Sequence, residues 1–210
     1  MGLVTVDISV SLDGFIAGPN AGREHPLGEG GEALHEWGLR TQGWREPHGY
    51  EGGDTGPDSD LIERAFADVG AVIMGRRMFG GEDGPWGDEP WEGWWGDQPP
   101  FHVPVYVLTN HEREPLEKQG GTTFYFVTDG IESALEQAKA AAGDKTVSIA
   151  GGADVIQQCL RAGLVDEMLI HLVPLFLGGG TRLFDNVPPV ALERIEVVDS
   201  PAVTHIRYRV

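Results

Sequence analysis

Three times between Asp60 and Leu177 a segment of helical periodicity passes through a turn into a short apolar strand, and this alternation constrains the fold more than any other feature. Helix and strand in repeated alternation point to an α/β layered fold, a central sheet of mixed but mostly parallel strands flanked by helices. The first unit opens at Asp60-Leu-Ile-Glu63, which has capping-box spacing, runs through Phe66 and is stopped by Gly70 before the apolar Ala71-Val-Ile-Met74. The second begins at Asp129-Gly-Ile-Glu132, carries Ile131, Ala134, Leu135 and Ala138 as one stripe, and leads into a strand over 146–150. The third holds Val155, Ile156, Cys159 and Leu160, stops at Gly163, and gives way to a long apolar strand over 167–177.

Further strands frame these units. Residues 3–10 alternate Leu3, Val4, Val6, Ile8 and Val10 with Thr5, Asp7 and Ser9, the period of a strand with one buried face. Strands are also expected over 104–108 and 123–127, and two consecutive ones over 191–198 and 203–210 suggest an antiparallel edge. From Asp13 to Gly56 the chain is rich in Gly, Pro, Glu and His, with one short helix around Glu32 to Leu39. A loop region of that length in a compact domain is usually functional or mobile. Nothing along the chain reads as a linker, so a single domain over 1–210 is expected.

Fifteen basic residues against 33 acidic ones give a net charge of −18, and such a surface repels nucleic-acid backbones and anionic membranes. A small-molecule ligand is the expected partner, and Arg76-Arg77 stands out as a local gathering of positive charge. Cys159 is the only cysteine, which excludes an internal disulfide and a cysteine-rich zinc site and suits a reducing cytosol. With no signal-like N-terminus and no apolar run of membrane-spanning length, a cytoplasmic protein is expected.

Four segments carry candidate chemistry. Ala150-Gly151-Gly152-Ala153-Asp154 lies where a strand enters a helix: paired glycines there either let a phosphate approach free helix N–H groups or allow tight strand-helix packing. No GxGxxG pattern is present, so a Rossmann fold is not indicated. Met74-Gly75-Arg76-Arg77-Met78 ends an apolar strand in two guanidinium groups, which are either phosphate partners or solvated side chains. Leu108-Thr109-Asn110-His111 takes a strand into hydrogen-bonding residues, at the end where α/β sheets bind ligands. Ser11-Leu-Asp13-Gly-Phe-Ile16-Ala17-Gly18 is a Gly-bounded loop after the first strand. Gly84 to Pro100 holds four of the six tryptophans among Gly and Pro, and these either pack under the loop, form a subunit interface or make a lid over a flat ring.

Together with Leu164-Val-Asp-Glu-Met-Leu-Ile-His-Leu-Val-Pro174 and Gly178-Gly-Gly180, these motifs resemble the dihydrofolate reductase-like superfamily, in particular the reductase domain of riboflavin biosynthesis, over nearly the whole chain. The resemblance implies a sheet of about eight strands with NADPH across the strand ends. It implies nicotinamide contacts from Ile16 and Ala17, a 2′-phosphate on Arg76, and pyrophosphate contacts from Arg77, Met78, Gly151, Gly152, Ala153 and Asp154, with Gly75 beside them. Thr109 and Asn110 fall on the adenosine side, Asp13 and His171 are the catalytic candidates, and Glu36 and Trp37 the substrate contacts. His171, which interrupts an apolar strand, is either a satisfied core residue or a group that orients or protonates substrate.

The implied activity is NADPH-dependent reduction of a pyrimidine or pterin-like heterocycle, as in 5-amino-6-(5-phosphoribosylamino)uracil reductase, by a homodimer. A dihydrofolate or dihydropteridine reductase and a nucleotide-binding module without turnover are the alternatives. The stretch that carries the pterin-holding acid in folate reductases is lengthened here and offers Glu29, Glu32 and Glu36 without a clear match. The chain also opens directly on the reductase strand, without the deaminase domain to which such reductases are often fused, so a changed substrate is expected.

Overall fold

In the computed structural model, which describes residues 2–80, 84–88 and 90–210, the alternating segments form a layered α/β structure. In chain order the strands are β1 (Val4–Ser11), β2 (Phe15–Ala17), β3 (Val69–Gly75), β4 (Pro104–Leu108), β5 (Leu116–Glu117), β6 (Thr123–Val127), β7 (Thr146–Gly151), β8 (Glu167–Val173), β9 (Thr181–Arg182), β10 (Glu193–Asp199) and β11 (Thr204–Arg209). The helices are α1 (Glu36–Leu39), α2 (Gln42–Arg45), α3 (Pro57–Ala67), α4 (Arg76–Phe79), α5 (Ile131–Ala142) and α6 (Ala153–Arg161).

Nine strands build the main sheet in the order β10-β11-β8-β1-β7-β3-β4-β6-β5, while β2 and β9 pair separately. The inner pairs β8-β1, β1-β7, β7-β3, β3-β4 and β4-β6 are parallel. Antiparallel pairing is confined to the two edges, β10-β11-β8 and β5-β6. The parallel strands need crossover connections, and α3, α5 and α6 supply several of them.

Alternation along β1 explains the layering. Val4 and Val6 face a core shared with Ile73, Ile149, Leu135 and Ile156, under α5 and α6. The opposite face carries Thr5, Asp7 and Ser9 and is covered in two parts. At the β8 end, α1 and α3 bury Leu34, Trp37, Ile62 and Val173. At the β4 end, Trp86, Trp91 and Trp95 pack on a cluster of Val72, Met74, Phe79, Val107 and Phe124. Phe79, Phe124 and Ile73 are fully buried, each contributing about 1.5–3 kcal/mol by removal from water. No helix among the described residues is long and apolar enough to cross a membrane.

Several boundaries differ from the expectation. Helix α3 starts at Pro57, not Asp60; Gly56 is its N-cap and no side chain caps it, because proline fits the first helical position, where an N–H would have no partner. Asp129 caps nothing either, since Gly130 is the N-cap of α5. Gly70 belongs to β3 and stops no helix: a Cβ there would lie 2.9 Å from Ala142, so the glycine permits close packing under α5. The strand expected over 167–177 ends at Val173, before Pro174; proline has no N–H for the ladder. The short β2, β5 and β9 were not foreseen, and the main sheet has nine strands where about eight were implied.

Candidate active site

Strands β7, β3 and β4 lie side by side and parallel, so their C-terminal ends open onto one edge of the sheet. Gly151-Gly152-Ala153-Asp154 leaves β7, Gly75-Arg76-Arg77-Met78 leaves β3, and Thr109-Asn110 leaves β4. Three segments distant in sequence thus meet at one rim. Gly151 has φ +125°, a region open in practice to glycine. At Gly152 a Cβ would meet nothing within 4 Å, so the backbone there faces open space at the start of the nine-residue α6. Gly75 serves packing instead, because a Cβ would come within 2.9 Å of Val155 Cγ2. An open glycine backbone and a packing glycine thus stand at neighbouring strand ends.

Arg76 donates from Nη1 to the Gly80 carbonyl and its guanidinium lies 3.4 Å from the centre of the Trp86 ring, whereas Arg77 is exposed. Thr109 is buried and its hydroxyl accepts the His111 N–H at 3.2 Å, which shapes the turn that exposes Asn110. The tryptophan-rich segment packs under its own loop. Trp91 Nε1 donates to Phe79 O, Trp94 Nε1 to Met78 O and Trp86 Nε1 to His111 O, each at 3.0 Å. These bonds hold the segment against the turns after β3 and β4.

The loop after β1 is held by Asp13. Its carboxylate accepts the Ser11 hydroxyl at 2.5 Å and the amides of Leu177 and Gly178 at 3.2 and 2.7 Å. The Ser11 hydrogen bond above all, opposed by partial desolvation and helped by the Gly178 and Leu177 amides, holds this carboxyl below its ordinary range. Both oxygens are thus occupied in bolting the β1–β2 turn to the segment after β8, next to the β2–β9 pair that carries Ile16 and Ala17. That geometry makes Asp13 a holder of the loop in which Ile16 and Ala17 sit.

His171 is no lone histidine. It pairs with Ser9 of β1 on one side and with His205 of β11 on the other, so all three share a face. His171 Nδ1 lies 2.6 Å from His205 Nδ1, His171 Nε2 lies 2.6 Å from Asp7 Oδ1, and His205 Nε2 lies 3.0 Å from Asp58 Oδ1. The result is a chain Asp7–His171–His205–Asp58, with both imidazoles buried and both carboxylates partly exposed. When each Nε2 donates outward to its carboxylate, the two Nδ1 atoms face each other across the buried contact. Burial pushes His205 below its ordinary value; the Asp58 hydrogen bond opposes this and the neighbouring His171 reinforces it. Trp37 covers both rings at 4.6 and 4.9 Å and donates to Ser9 Oγ at 3.1 Å.

Between α2 and α3 on one side and residues 100–103 on the other lies a cleft of about 490 Å³. Val72, Ser148 and Ala150 lie along the sheet beneath it, and Glu46, Glu63 and Phe66 come from the helices. Ala150 directly precedes Gly151, so the cleft reaches the rim that gathers the three segments.

A family model described as the RibD C-terminal domain matches residues 3–205. The chain belongs to this family. Among solved structures, a Shewanella sp. PV-4 protein assigned to riboflavin biosynthesis superposes with a TM-score of 0.65 at 22% identity, over 99% of this chain and 98% of that one. The diaminohydroxyphosphoribosylaminopyrimidine deaminase/5-amino-6-(5-phosphoribosylamino)uracil reductase of Thermotoga maritima gives 0.57 at 16% identity; the match covers 99% of this chain and 56% of that chain. The dihydrofolate reductase of Enterococcus faecalis, complexed with NADP(H), gives 0.51 at 15% identity over 99% and 96%. At these identities the likeness is one of fold, and it makes the fold dihydrofolate reductase-like. No curated protein matches significantly in sequence.

In this RibD C-terminal domain Glu36 points to solvent, 3.7 Å from Arg40 and well exposed, so it does not line the cleft. Position 36 faces outward because its neighbour Trp37 turns inward onto His171. Glu63, Glu46, Asp7 and Asp58 bring carboxylates near the sheet face, and none of them was expected as a site residue. Ser59, one turn before Glu63, donates to it at 3.0 Å and accepts the Gly43 N–H at 2.8 Å, fixing α2 on α3. One signal was available for the histidine chain, His171 interrupting an apolar strand; Asp7 and His205 stand where alternation already places polar residues and gave none.

Proposed function

We propose that this chain is an NADPH-dependent reductase of a flat nitrogen heterocycle, a pyrimidine or pterin-like ring, with the ring in the cleft and the cofactor along the ends of β7, β3 and β4. The observation that carries the reading is the position of Ala150, which borders the cleft and directly precedes the open Gly151-Gly152 backbone. A ring in the cleft and a cofactor on those glycines would abut there. The rim residues fit such a cofactor: the absence of a Cβ at Gly152 leaves room for a pyrophosphate beside the free N–H groups of α6.

When bound, the cofactor supplies the hydride, and the protein contributes orientation, exclusion of water and a proton. Gly151, Gly152, Ala153, Asp154, Met78 and the exposed Arg77 would hold the pyrophosphate, and Thr109 and Asn110 the adenosine. Arg76, set by Trp86 and Gly80, offers a guanidinium partner to a 2′-phosphate. Ile16 and Ala17 offer backbone groups to the nicotinamide, on the loop that Asp13 bolts in place. Trp37 closes the sheet face over His171 and Ser9, and the His171–His205 pair stands directly behind Asp7.

The same reading makes the protein a cytosolic homodimer. Ile195 and Val197, exposed on the edge strand β10, support association there, and light scattering would return a dimer mass. The decisive assay follows NADPH loss with a panel of pyrimidines and pterins, and titrates NADPH and NADH against wild type and Arg76→Ala. Oxidation with at least one ring, and an NADPH preference reduced in the variant, are expected. No turnover with any ring refutes the enzyme reading; equal affinity of wild type for both cofactors refutes the cofactor assignment.

A further inference from the structure

Register brings Asp7 next to the cleft, although it is not one of the lining residues. Thr5 of β1 pairs with Ser148 and Val6 with Ile149, and the pairing ends one residue before Asp7 and the cleft residue Ala150. Thr5 and Asp7 share a face of β1, and Ser148 and Ala150 both line the cleft. The Asp7 side chain is 33% exposed although its Oδ1 accepts the buried His171 Nε2 at 2.6 Å. Its second oxygen has no protein hydrogen bond among the described residues. The carboxylate is therefore fixed through one oxygen by a two-histidine chain while the other remains available as an acceptor.

The cleft beside it carries negative charge. Glu46 and Glu63 stand on its helical wall, and no Lys or Arg lines it among the described residues. The positions outside the described residues are Met1, Gly81, Glu82, Asp83 and Glu89, none of them basic. Elsewhere, Arg64 pairs with Glu196 and Lys118 with Glu92. A phosphate group in this cleft would meet the carboxylates of Glu46 and Glu63 and no guanidinium or ammonium among the described lining residues to compensate them. The half-exposed Phe66 ring, with Phe101, Val72 and Ala150, offers apolar surface to the faces of a flat ligand.

Resting on the reductase reading, we propose that the substrate is an unphosphorylated heterocycle that presents an N–H donor edge, and that Asp7 is the carboxylate that accepts it. N–H donors on an amidine-like ring edge complement an ionised carboxylate, and such charge-assisted bonds are the strong ones. His171, His205 and Asp58 position Asp7 from behind. The site thus selects against a ribose 5-phosphate on the same ring.

The test uses 5-amino-6-(ribosylamino)uracil with and without its 5′-phosphate, and 7,8-dihydropterin, each with NADPH and the full chain. The unphosphorylated rings should have a kcat/KM at least about tenfold above that of the phosphate ester, and Glu63→Arg should narrow that gap. Asp7→Asn retains an oxygen for His171 and loses the charge. It should lower kcat/KM about 10²-fold through a raised KM, with NADPH affinity and melting temperature kept. A preference for the phosphate ester, or an Asp7→Asn variant with unchanged kcat/KM, overturns the proposal and leaves the reductase reading standing. No turnover with any of the three, in a protein that binds NADPH, removes both.

Discussion

Replacing His205 by Phe tests the Asp7–His171–His205–Asp58 chain without emptying its space. The phenyl ring keeps the edge contact to Trp37, whose ring centre lies 4.9 Å away, and removes both nitrogens. His171 then loses its Nδ1 partner at a position 3% exposed, where water cannot replace it. An unmatched buried polar group of this kind costs about 1–3 kcal/mol. Asp58 suffers less, being 23% exposed and still accepting the Ser200 hydroxyl at 3.0 Å, so its loss is about 0–1 kcal/mol. The sum, about 1–4 kcal/mol, corresponds to a fall in Tm of roughly 2–15 °C for a chain of this size. Calorimetry at neutral pH on wild type, His205→Phe, His171→Phe and the double variant measures it. The double variant lacks both ends of the Nδ1 contact, so it should be more stable than the sum of the single losses predicts, by about 1–2 kcal/mol. Additivity within about 0.5 kcal/mol would show that the two imidazoles do not depend on each other, and the argument from the Nδ1 contact would fail.

The stability of the protein should also depend on pH near the histidine range. Burial lowers His35 and His205 from an ordinary value of 6.5, so below that pH the unfolded chain takes up protons that the folded one resists. Tm should therefore be level above about pH 6.5 and fall as pH drops below it; a Tm that rises on acidification would contradict the burial. Gly152→Val should abolish or strongly weaken NADPH binding, read by fluorescence titration, with circular dichroism unchanged, because a side chain there meets only open space in the fold. Normal binding would move the cofactor elsewhere. Burial pushes the Cys159 thiol up to about 12, which leaves only about one part in 10⁴ as thiolate at pH 8. The folded protein should accordingly resist a disulfide reagent until denatured, and rapid native-state labelling would refute that.

Local physics was legible where periodicity is strong. The expected strands over 104–108 and 123–127 coincide with β4 and β6, and the Ile131 to Ala138 stripe is the face that α5 buries. These segments declare themselves because period two and period 3.6 sort apolar residues before any tertiary contact forms. Caps were misplaced for the converse reason: Gly56 and Gly130 act through backbone conformation, while the Asp that drew attention at each site lacks the geometry to cap.

The sequence by itself determined the layered α/β class, the antiparallel edge and the three segments that end β7, β3 and β4. Strand order decided that those three segments meet, since β7, β3 and β4 are neighbours in space and far apart in sequence. The same holds for the histidine chain: Asp7 and His171 are 164 residues apart, His205 a further 34, and only the β1-β8-β11 pairing brings them within hydrogen-bond reach. It holds for Glu36, which the helix turn directs to water while Trp37 beside it is buried. Periodicity is a property of neighbours along the chain, whereas a site depends on long-range register and on which face a side chain takes, and those are fixed only when the sheet closes its core.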